Sequence, residues 1–542
     1  MIFPVRHMKN LPGRNELLIF AATVFFCAVA RAQNLDTIGV TLLQSVTTNL
    51  NGTGIRVAQP EAGYNLGTNW EVNPAAASQP VGLFTYISGN GSANSFPNSL
   101  SSESDHADSV AQIFYGIPNG VATNVARVDN YDANYFYDSI ISTGSPANTN
   151  DLVINQSFTF GNVSTNIPTP TNYLSVSQQQ QIDSQYDNYA ALHNTFFVSA
   201  VNNGGSVSPP GTSYNCIGVG AYGGGSSIGP TLDNGRCKPD ITAPAAETSY
   251  STPQVAGAAA VLMQAGLRGD GGSDTISAAD IRTVKALLLN GAVKPIDWTN
   301  NSPSPLDYRY GAGVLNVLNS YEQLAGGRQG YIVSTSVVTN SPHLPNGDTG
   351  TVSVLSGWDF NTNSSSAATD GVNHYYFNVT NGADNAMFTA TATLVWNRHA
   401  NKTDINNLDL FLYDALSSNL VACSTSLVDN VEHLWLPQLP QGRYDLQVLK
   451  KGGTTVTTTE AYALAFEFFS QSLNIAASGT GVTLAWPVYP AGFFVESTTN
   501  LIPPAVWTTN NLPVPVIANG SNYILLNATN VNQFFQLSLP NL

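Results

Sequence analysis

Charged residues are scarce in this chain, and basic residues are the scarcest. Its 542 residues include 19 lysines and arginines against 35 aspartates and glutamates, and charged residues make up 10% of the total. The formal net charge is −16 at pH 7. Because nucleic-acid surfaces need clustered lysine and arginine, this balance argues against a nucleic-acid partner. Asn, Thr, Ser and Gly must supply the polar surface, which is typical of exported proteins rich in strands and loops.

Long apolar runs are absent after the N-terminus. Residues 17–30 form an apolar stretch that follows Arg6, Lys9 and Arg14, and residues 30–32 read Ala-Arg-Ala, a small-x-small cleavage site. This pattern predicts a signal peptide over residues 1–32 and hence a secreted protein, extracellular or periplasmic. No later stretch is long and apolar enough to predict a transmembrane span.

Short apolar runs alternate with helical patterns between residues 54 and 324. The runs predicted to be strands cover residues 54–58, 152–154, 196–200 and 216–219. This alternation predicts an α/β fold, a mostly parallel twisted sheet with helices on both faces. A helix capped by Ser277 is also expected, with Asp280 three positions later and Ile281, Val284 and Leu288 at helical spacing.

The polar residues of interest follow the strands. In open sheets of this kind the ligand crevice lies beyond the carboxyl ends of the strands, where Glu61, Asn202 and Ser249 would emerge. Residues 248–257 read TSYSTPQVAG and lead into an alanine-rich segment, which predicts a buried helix with Ser249 at its N-terminus. Pro253 fits this helix start, because its missing N–H falls in or near the first turn. The alternative for Ser249 is a plain N-cap.

Other segments follow one another in an informative order. They are residues 106–111 (HADSVA), 151–157 (DLVINQS), 200–204 (AVNNG), 238–244 (KPDITAP) and 311–316 (GAGVLN), with 248–257 between the last two. Together they resemble the ordered blocks of the subtilisin-like serine proteases, whose nucleophile motif is Gly-Thr-Ser-Met-Ala-x-Pro-His-Val-Ala-Gly. The resemblance spans residues 54–324 and implies a subtilisin-like catalytic domain over residues 33–325.

This resemblance implies a catalytic triad and an oxyanion hole. Ser249 would be the nucleophile, His106 its general base, and Asn202 a donor to the oxyanion together with the backbone N–H of Ser249. The acid departs from the family, because residues 54–63 read GIRVAQPEAG and carry Glu61 where aspartate is usual. Either Glu61 completes a Ser-His-Glu triad, or it is a solvated strand end and the acid is lost. A structural histidine and a turn asparagine are the alternatives for His106 and Asn202.

The resemblance also implies a substrate cleft. Ser157, Phe158 and Thr159 stand where the family usually has Ser-Leu-Gly, and would pair a substrate backbone as an added strand. Thr159 and Val201 replace glycines that ordinarily open the pocket for the residue before the scissile bond. We therefore expect a narrower pocket that favours small or slender side chains. Glu247 follows a shortened loop after Pro244, so the leaving-group side should be more open.

Past residue 326 the pattern changes to strands separated by turns. Predicted strands cover residues 331–334, 352–354, 375–377, 388–394, 408–412 and 444–448. Residues 326–470 resemble the β-sandwich domains that often follow bacterial protease domains. Residues 471–542 are expected to form a small β module, in which residues 482–486 and 493–497 would pair and residues 534–537 would close the sheet.

These all-β C-terminal domains are expected to attach the enzyme to a surface or a polymer. Carbohydrate binding through Trp396, Trp435 or Trp486 is one alternative, and buried core tryptophans are the other.

Cysteine is scarcer still. After the leader only Cys216, Cys237 and Cys423 remain. The first two flank segments that would be neighbouring strands in the resembled fold, which leaves open a disulfide between them or three buried thiols. The resemblance leaves structural calcium open, because subtilases frequently hold it, but no ligand loop of diagnostic spacing is present. No other cofactor is expected.

These observations predict a secreted serine endopeptidase that hydrolyses a protein or peptide substrate through an acyl-enzyme intermediate. Its rival is a catalytically inactive subtilase-like protein that acts as an extracellular binding or structural module. Glu61, Glu247 and the shortened loop motivate that rival.

Overall fold

The structure is a computed structural model. It describes residues 35–63, 68–161, 174–337, 350–381, 387–453, 456–470, 472–478, 481–488, 493–510, 512–518, 521–527 and 532–538. The signal peptide expected at residues 1–32 lies outside the described residues.

The N-terminal part alternates strands with helices. Strands β1 to β8 are Arg56–Glu61, Phe84–Ser88, Gly91–Ala93, Arg127–Asp132, Val153–Gln156, Phe196–Ala200, Ile217–Tyr222 and Ile241–Pro244. Helices α1 to α8 are Val40–Val46, Asp105–Phe114, Ala133–Phe136, Val176–His193, Thr248–Arg268, Thr275–Ala278, Ile281–Asn290 and Val317–Ala325, with a 3₁₀ turn at Val81–Leu83 and a π-helical turn at Tyr137–Ile141.

The first eight strands form one sheet, in which the described strands have the order β3-β2-β4-β1-β5-β6-β7-β8. Every neighbouring pair is parallel except β2 with β3. Strands β5 and β6 are buried along their whole length, as parallel strands covered by helices on both faces should be. The predicted α/β fold is confirmed. The sequence pattern starts β1 too early, since the strand begins at Arg56 and ends at Glu61.

Helix α5 runs through the centre of this layer. Almost all of its residues from Ser251 to Gly266 are buried, which agrees with a helix that is apolar or small on every side. Helix α7 is capped by Asp280, whose carboxylate accepts from the backbone N–H of Arg282 at 2.9 Å. Ser277, the cap expected from the sequence, lies instead inside the short helix α6, which Asp274 caps.

The C-terminal part is all β. Strands β9 to β17 are Val333–Val337, Ser356–Ser364, Asp370–Val379, Met387–Trp396, Leu408–Asp414, Leu420–Ser424, Val431–Pro440, Gly442–Lys450 and Thr459–Ser470. The described strands make two antiparallel sheets, ordered β10-β17-β12-β15 and β14-β13-β16-β11-β9, around a shared apolar core. This confirms the expected β-sandwich character. The strand predicted at residues 352–354 is wrong, because this segment is irregular. The Val352 N–H donates to Tyr376 O, and the Ser353 hydroxyl donates to the Gln329 side chain.

One sheet of the sandwich is buried on both faces. On β17, Tyr462, Leu464 and Phe466 face the sandwich core, whereas Ala463 and Ala465 belong to the core of the α/β part. The alternation follows the two-residue period of a strand. The small residues on the second face leave room for α7 and α8, two helices of the α/β part that pack against this sheet.

The last strands, β18 to β23, are Asn474–Ser478, Gly481–Pro487, Phe494–Thr498, Val516–Ala518, Ser521–Asn527 and Phe534–Ser538. The pairing expected between residues 482–486 and 493–497 is wrong. Strand β19 has both edges occupied, by β18 and β22, so β20 pairs with β23 in a separate ribbon.

Across the part of the chain that the structure describes, the helices are too short or too polar for a membrane span.

Candidate active site

Glu61 and His106 are brought together by strand β1 and helix α2. Glu61 is the last residue of β1 and is 1% exposed. His106 is the second residue of α2, whose N-terminus is capped by the Ser104 hydroxyl. The Nδ1 atom of the ring lies 3.0 Å from Glu61 Oε2. A carboxylate in this position fixes the tautomer and orientation of an imidazole and stabilises its protonated form.

The charge around the ring sets its proton affinity. Burial lowers the pKa of His106, but the charge and hydrogen bond of Glu61, together with the charge of Glu247, outweigh it, so the pKa lies above the ordinary value of an imidazole. A base with a raised pKa takes a proton from a hydroxyl more readily, and needs a higher pH to be neutral.

Ser249 lies in the first turn of α5, as its second residue. Its hydroxyl donates to the carbonyl oxygen of Ser157 at 3.2 Å, and the Ser157 hydroxyl donates to the carbonyl oxygen of Ser249 at 2.9 Å. Pro253 leaves the carbonyl oxygen of Ser249 free to accept the second of these bonds, because proline has no N–H to donate to it. It is the sixth residue of α5, beyond the first turn where the sequence placed it, and a residue with an N–H there would donate to Ser249 O.

The imidazole and the serine hydroxyl do not bond to each other. Tyr250, the residue after Ser249, has its ring centre 6.1 Å from that of His106. Among the described residues no hydrogen bond joins His106 to Ser249, since the hydroxyl is turned to Ser157. The described geometry thus contains a joined Glu61–His106 pair and a separately bonded serine. Catalytic hydrogen bonds are often completed only in the complex with substrate.

The two asparagines after β6 have different roles. Asn202 has a φ of 96°, and its amide donates to the Ser208 hydroxyl at 3.4 Å. Asn203, which the sequence analysis did not single out, accepts at 2.8 Å from both the backbone N–H and the hydroxyl of Thr248. Asn203 therefore ties the loop to the start of α5. No described bond joins the Asn202 side chain to Ser249.

The expected substrate strand is partly exposed. Ser157 is buried against Ser249, whereas Phe158 and Thr159 are half-buried and lie outside regular structure. Val201 is fully buried and packs against Gly211 and Gly218, so in this conformation it offers no surface to a substrate.

Residues 85–313 match the model of the Subtilase family. This segment is therefore similar to the subtilases. The match includes His106, Asn202 and Ser249, and it begins after Glu61. This match supports a peptidase function in general for residues 85–313, which are here called the subtilase region. No curated protein matches the chain.

Three solved structures are similar to parts of this chain. The PatG macrocyclase in complex with peptide has a TM-score of 0.34 and 16% identity, over 54% of this chain and 98% of its own. The MycP3 protease from the type VII (ESX-3) secretion system has a TM-score of 0.31 and 16% identity, over 53% of this chain and 87% of its own. Tripeptidyl peptidase 2 has a TM-score of 0.29 and 14% identity, over 77% of this chain and 44% of its own.

Two residues at the start of the nucleophile helix differ from the usual subtilase motif. Gln254, buried, donates to Pro244 O at 2.7 Å and thereby closes the short loop between β8 and α5. Glu247 is the N-cap residue of α5, and its side chain makes no capping bond. Its carboxylate is exposed, and its charge contributes, after that of Glu61, to the raised pKa of His106.

Metal ligands and disulfides were separate expectations. Among the described residues no group of three or more His, Cys, Asp or Glu is arranged to hold a metal ion. Cys216, Cys237 and Cys423 are free thiols, so the disulfide alternative for the first pair is not formed. The two thiols face different partners, Ser213 for Cys216 and Asp429 for Cys237.

The sequence analysis also missed Gln59, whose amide donates to the second carboxylate oxygen of Glu61 at 2.9 Å. Its position two residues before Glu61 was the available signal, because side chains at i and i+2 of a strand share a face.

Proposed function

We propose that this protein is a secreted serine endopeptidase. Ser249 attacks the peptide carbonyl, His106 takes its proton and returns it to the leaving amine, and Glu61 orients the ring. Asn202 and the backbone N–H of Ser249 stabilise the oxyanion. The substrate is a protein or peptide whose backbone pairs with Ser157, Phe158 and Thr159.

The contact between Glu61 and His106 carries this proposal. A buried carboxylate 3.0 Å from Nδ1 leaves Nε2 of the ring as the acceptor for a hydroxyl proton. Glutamate is longer than aspartate by one methylene, yet it reaches the same ring atom from the last residue of β1. The start of α5 adds the positive end of a helix dipole beside the developing oxyanion.

A fluorophosphonate probe with intact-mass analysis tests the nucleophile. We expect one adduct on the wild-type protein, none on Ser249→Ala, and a large loss of labelling rate in His106→Ala. Ser251→Ala is the matched control, since Ser251 is buried in the same helix and bonds to Thr248 O. Folded wild-type protein that takes no label would contradict the proposal.

Cleavage sites distinguish an endopeptidase from an exopeptidase. We expect internal cuts in an unstructured protein substrate, with small or slender residues before the scissile bond, where Thr159 narrows the pocket. Release of single residues or short peptides from one terminus would place the protein in another peptidase class, and a preference for large aromatics would exclude the narrow pocket.

One observation favours a second function, a subtilase that binds without cleaving. The Ser249 hydroxyl donates to Ser157 O and not to His106, which is the arrangement expected if the nucleophile were never activated. In that case a peptide would bind along residues 157–159 and remain intact, which mass spectrometry of the incubated peptide reports.

We also propose the domain organisation and location. Residues 1–32 are a signal peptide, residues 33–325 the catalytic domain, residues 326–470 a β-sandwich and residues 471–542 a small β module that attaches the enzyme to a surface or polymer. N-terminal sequencing of exported protein should begin at Gln33. Trp396 and Trp486 are buried, with their indole N–H groups bonded to Asn406 O and Phe493 O, so neither offers a face for a sugar.

A further inference from the structure

A chain of buried side chains continues from Glu61 away from the imidazole. The amide nitrogen of Gln59 donates to Glu61 Oε1 at 2.9 Å and to the backbone oxygen of Ala107 at 3.0 Å. The hydroxyl of Tyr115 donates to the amide oxygen of Gln59 at 2.5 Å. Gln59 and Tyr115 are fully buried, so water does not compete for these bonds.

The chain ties one strand to both ends of one helix. Gln59 and Glu61 share a face of β1, while His106 and Tyr115 stand at the start and just past the end of α2. Displacing either element would therefore disturb the bonds that cross between them, which join Gln59 to Ala107 and Tyr115, and Glu61 to His106. Because His106 is on the helix and Glu61 on the strand, this link fixes the relative position of the acid and the base.

The orientation of the Gln59 amide follows from its neighbours. Glu61 Oε1 and Ala107 O are both acceptors, so the NH₂ group must face them and the amide oxygen must face Tyr115. Burial raises the pKa of Tyr115 well above its ordinary value, so its hydroxyl stays protonated and remains a donor. Each carboxylate oxygen of Glu61 then has its own partner, Gln59 or His106.

We infer that Gln59 and Tyr115 are positioning residues, which hold the longer glutamate of this triad so that one of its oxygens faces His106. The inference rests on the proposed peptidase function. Without the amide donor, the buried Glu61 oxygen would lose its partner, and the carboxylate would swing from the ring or take up a proton.

Steady-state kinetics of the full chain test this role. Gln59→Met keeps an unbranched side chain and removes the amide, and Tyr115→Phe removes only the hydroxyl. We expect each to lower kcat, Gln59→Met by about 10-fold or more but by less than the ~10⁴-fold that loss of an orienting acid costs, with little change in KM. The acid limb of kcat/KM should move to lower pH, because the carboxylate that raises the pKa of His106 is weakened.

A matched control and a second background separate positioning from stability. Tyr86→Phe removes another buried tyrosine hydroxyl nearby, bonded to Val72 O, and should leave kcat and the pH profile unchanged. In the Glu61→Gln background, Gln59→Met should cost less than about 2-fold, since residues that act as one unit are not additive. The inference would be overturned if Gln59→Met had the kcat and pH profile of the wild type, or if it lowered kcat by the same factor in both backgrounds.

One measurement distinguishes this failure from failure of the proposed function. Histidine ¹⁵N NMR titration follows the His106 ring whether or not peptide is cleaved, with His106→Ala to assign its signals among the 7 histidines. If the wild-type protein neither labels nor cleaves, the peptidase proposal falls, and a lower His106 pKa in Gln59→Met still supports positioning. An unchanged pKa overturns positioning whatever the activity. Thermal melts identify any variant that fails to fold, and Tyr115→Phe, the smaller change, then carries the test.

Discussion

At the residue scale, the glutamate of the proposed triad is accommodated locally. The extra methylene of Glu61 is matched by Gln59, a side chain on the same strand face that holds the oxygen not facing His106. A chain of hydroxyl, imidazole and carboxylate is not by itself a site, however. A second chain of this kind is formed by Thr335, His374 and Asp445. The Thr335 hydroxyl lies 2.8 Å from His374 Nε2, and His374 Nδ1 lies 2.8 Å from Asp445 Oδ2. His374 and Asp445 are fully buried in the sandwich, however, where a substrate has no access.

The charge of Glu247 should set the pH at which the enzyme works. Because Glu247 contributes to the raised pKa of His106, Glu247→Gln should lower that pKa. The neutral ring is the base, so the acid limb of kcat/KM should shift to lower pH, and more activity should remain on the acid side. Asp404→Asn, an exposed carboxylate on the β-sandwich, is the control. An unshifted or upward-shifted limb in Glu247→Gln would contradict this prediction.

The adjacent asparagines offer a second residue-scale prediction. Asn202→Ala should lower kcat by about 10²- to 10³-fold with little loss of stability, as removal of an oxyanion donor does. Asn203→Ala should mainly lower stability, by about 1 kcal/mol, because Thr248 loses the acceptor of its N–H and hydroxyl at the helix start. Kinetics and urea unfolding of the two variants check this. The opposite pattern would assign the oxyanion role to Asn203.

At the element scale, the sequence predicts most of what positions the site. Apolar runs and motif order locate β1, α2, β6 and α5, because strands and helices buried on all sides leave continuous apolar segments. Bonds between side chains distant in sequence are not predictable this way. Gln59 with Tyr115, and Ser157 with Ser249, have no local signal, because each pair meets only after strand and helix have packed. The Ser277 cap failed for a related reason, since Asp280 competes as a cap three residues later.

Pro253 and Ser157 should be energetically coupled. Pro253→Ala supplies an N–H to Ser249 O, which now depends on the Ser157 hydroxyl, and should raise stability because proline inside a helix costs up to about 3 kcal/mol. Ser157→Ala should lower the free energy of unfolding by about 1 kcal/mol in the wild type. The loss should be smaller in the Pro253→Ala background, since the Ser249 carbonyl keeps a donor there. Urea unfolding of the two single variants and the double variant measures the coupling. Additive effects, within about 0.5 kcal/mol, would show that the two donors are independent.

At the scale of the whole molecule, the β-sandwich is joined to the subtilase region by a polar and apolar interface. The side-chain oxygen of Asn290 accepts from Thr391 and Thr393 at 2.8 and 2.9 Å, and its amide donates to Gln323 at 2.9 Å. The sequence predicted both all-β character and parallel sheet, but it gave no sign of this contact. Alanine alternates with large apolar residues along β17. This pattern identifies a strand that is buried on both faces only once the element packed on each face is known.

Lys294 is a buried cation in this interface. Its ammonium has one described hydrogen bond, to Ala292 O at 3.2 Å, and lies 5.2 Å from the ring centres of Trp298 and Trp435. Burial lowers its pKa to about 7. The unfolded chain therefore binds more protons between pH 7 and the ordinary lysine pKa of about 10.4, so stability should rise with pH across that window. The nearby His433 has a lowered pKa, from burial first and then from Lys294, and stays neutral there.

Replacing this lysine by an apolar side chain of similar length should stabilise the protein in a pH-dependent way. We expect Lys294→Met to raise the melting temperature by about 2 °C or more at pH 7, because a buried cation is exchanged for a thioether that still packs between the two indoles. The advantage over the wild type should shrink as the pH approaches the ordinary lysine pKa of about 10.4, since the unfolded chain then also loses the proton that the folded lysine gives up above pH 7. Lys402→Met, at an exposed position of the same β-sandwich, should show no such trend. A constant difference across pH, or a loss of stability at pH 7, would mean that Lys294 is held as a cation by its neighbours and stabilises the interface.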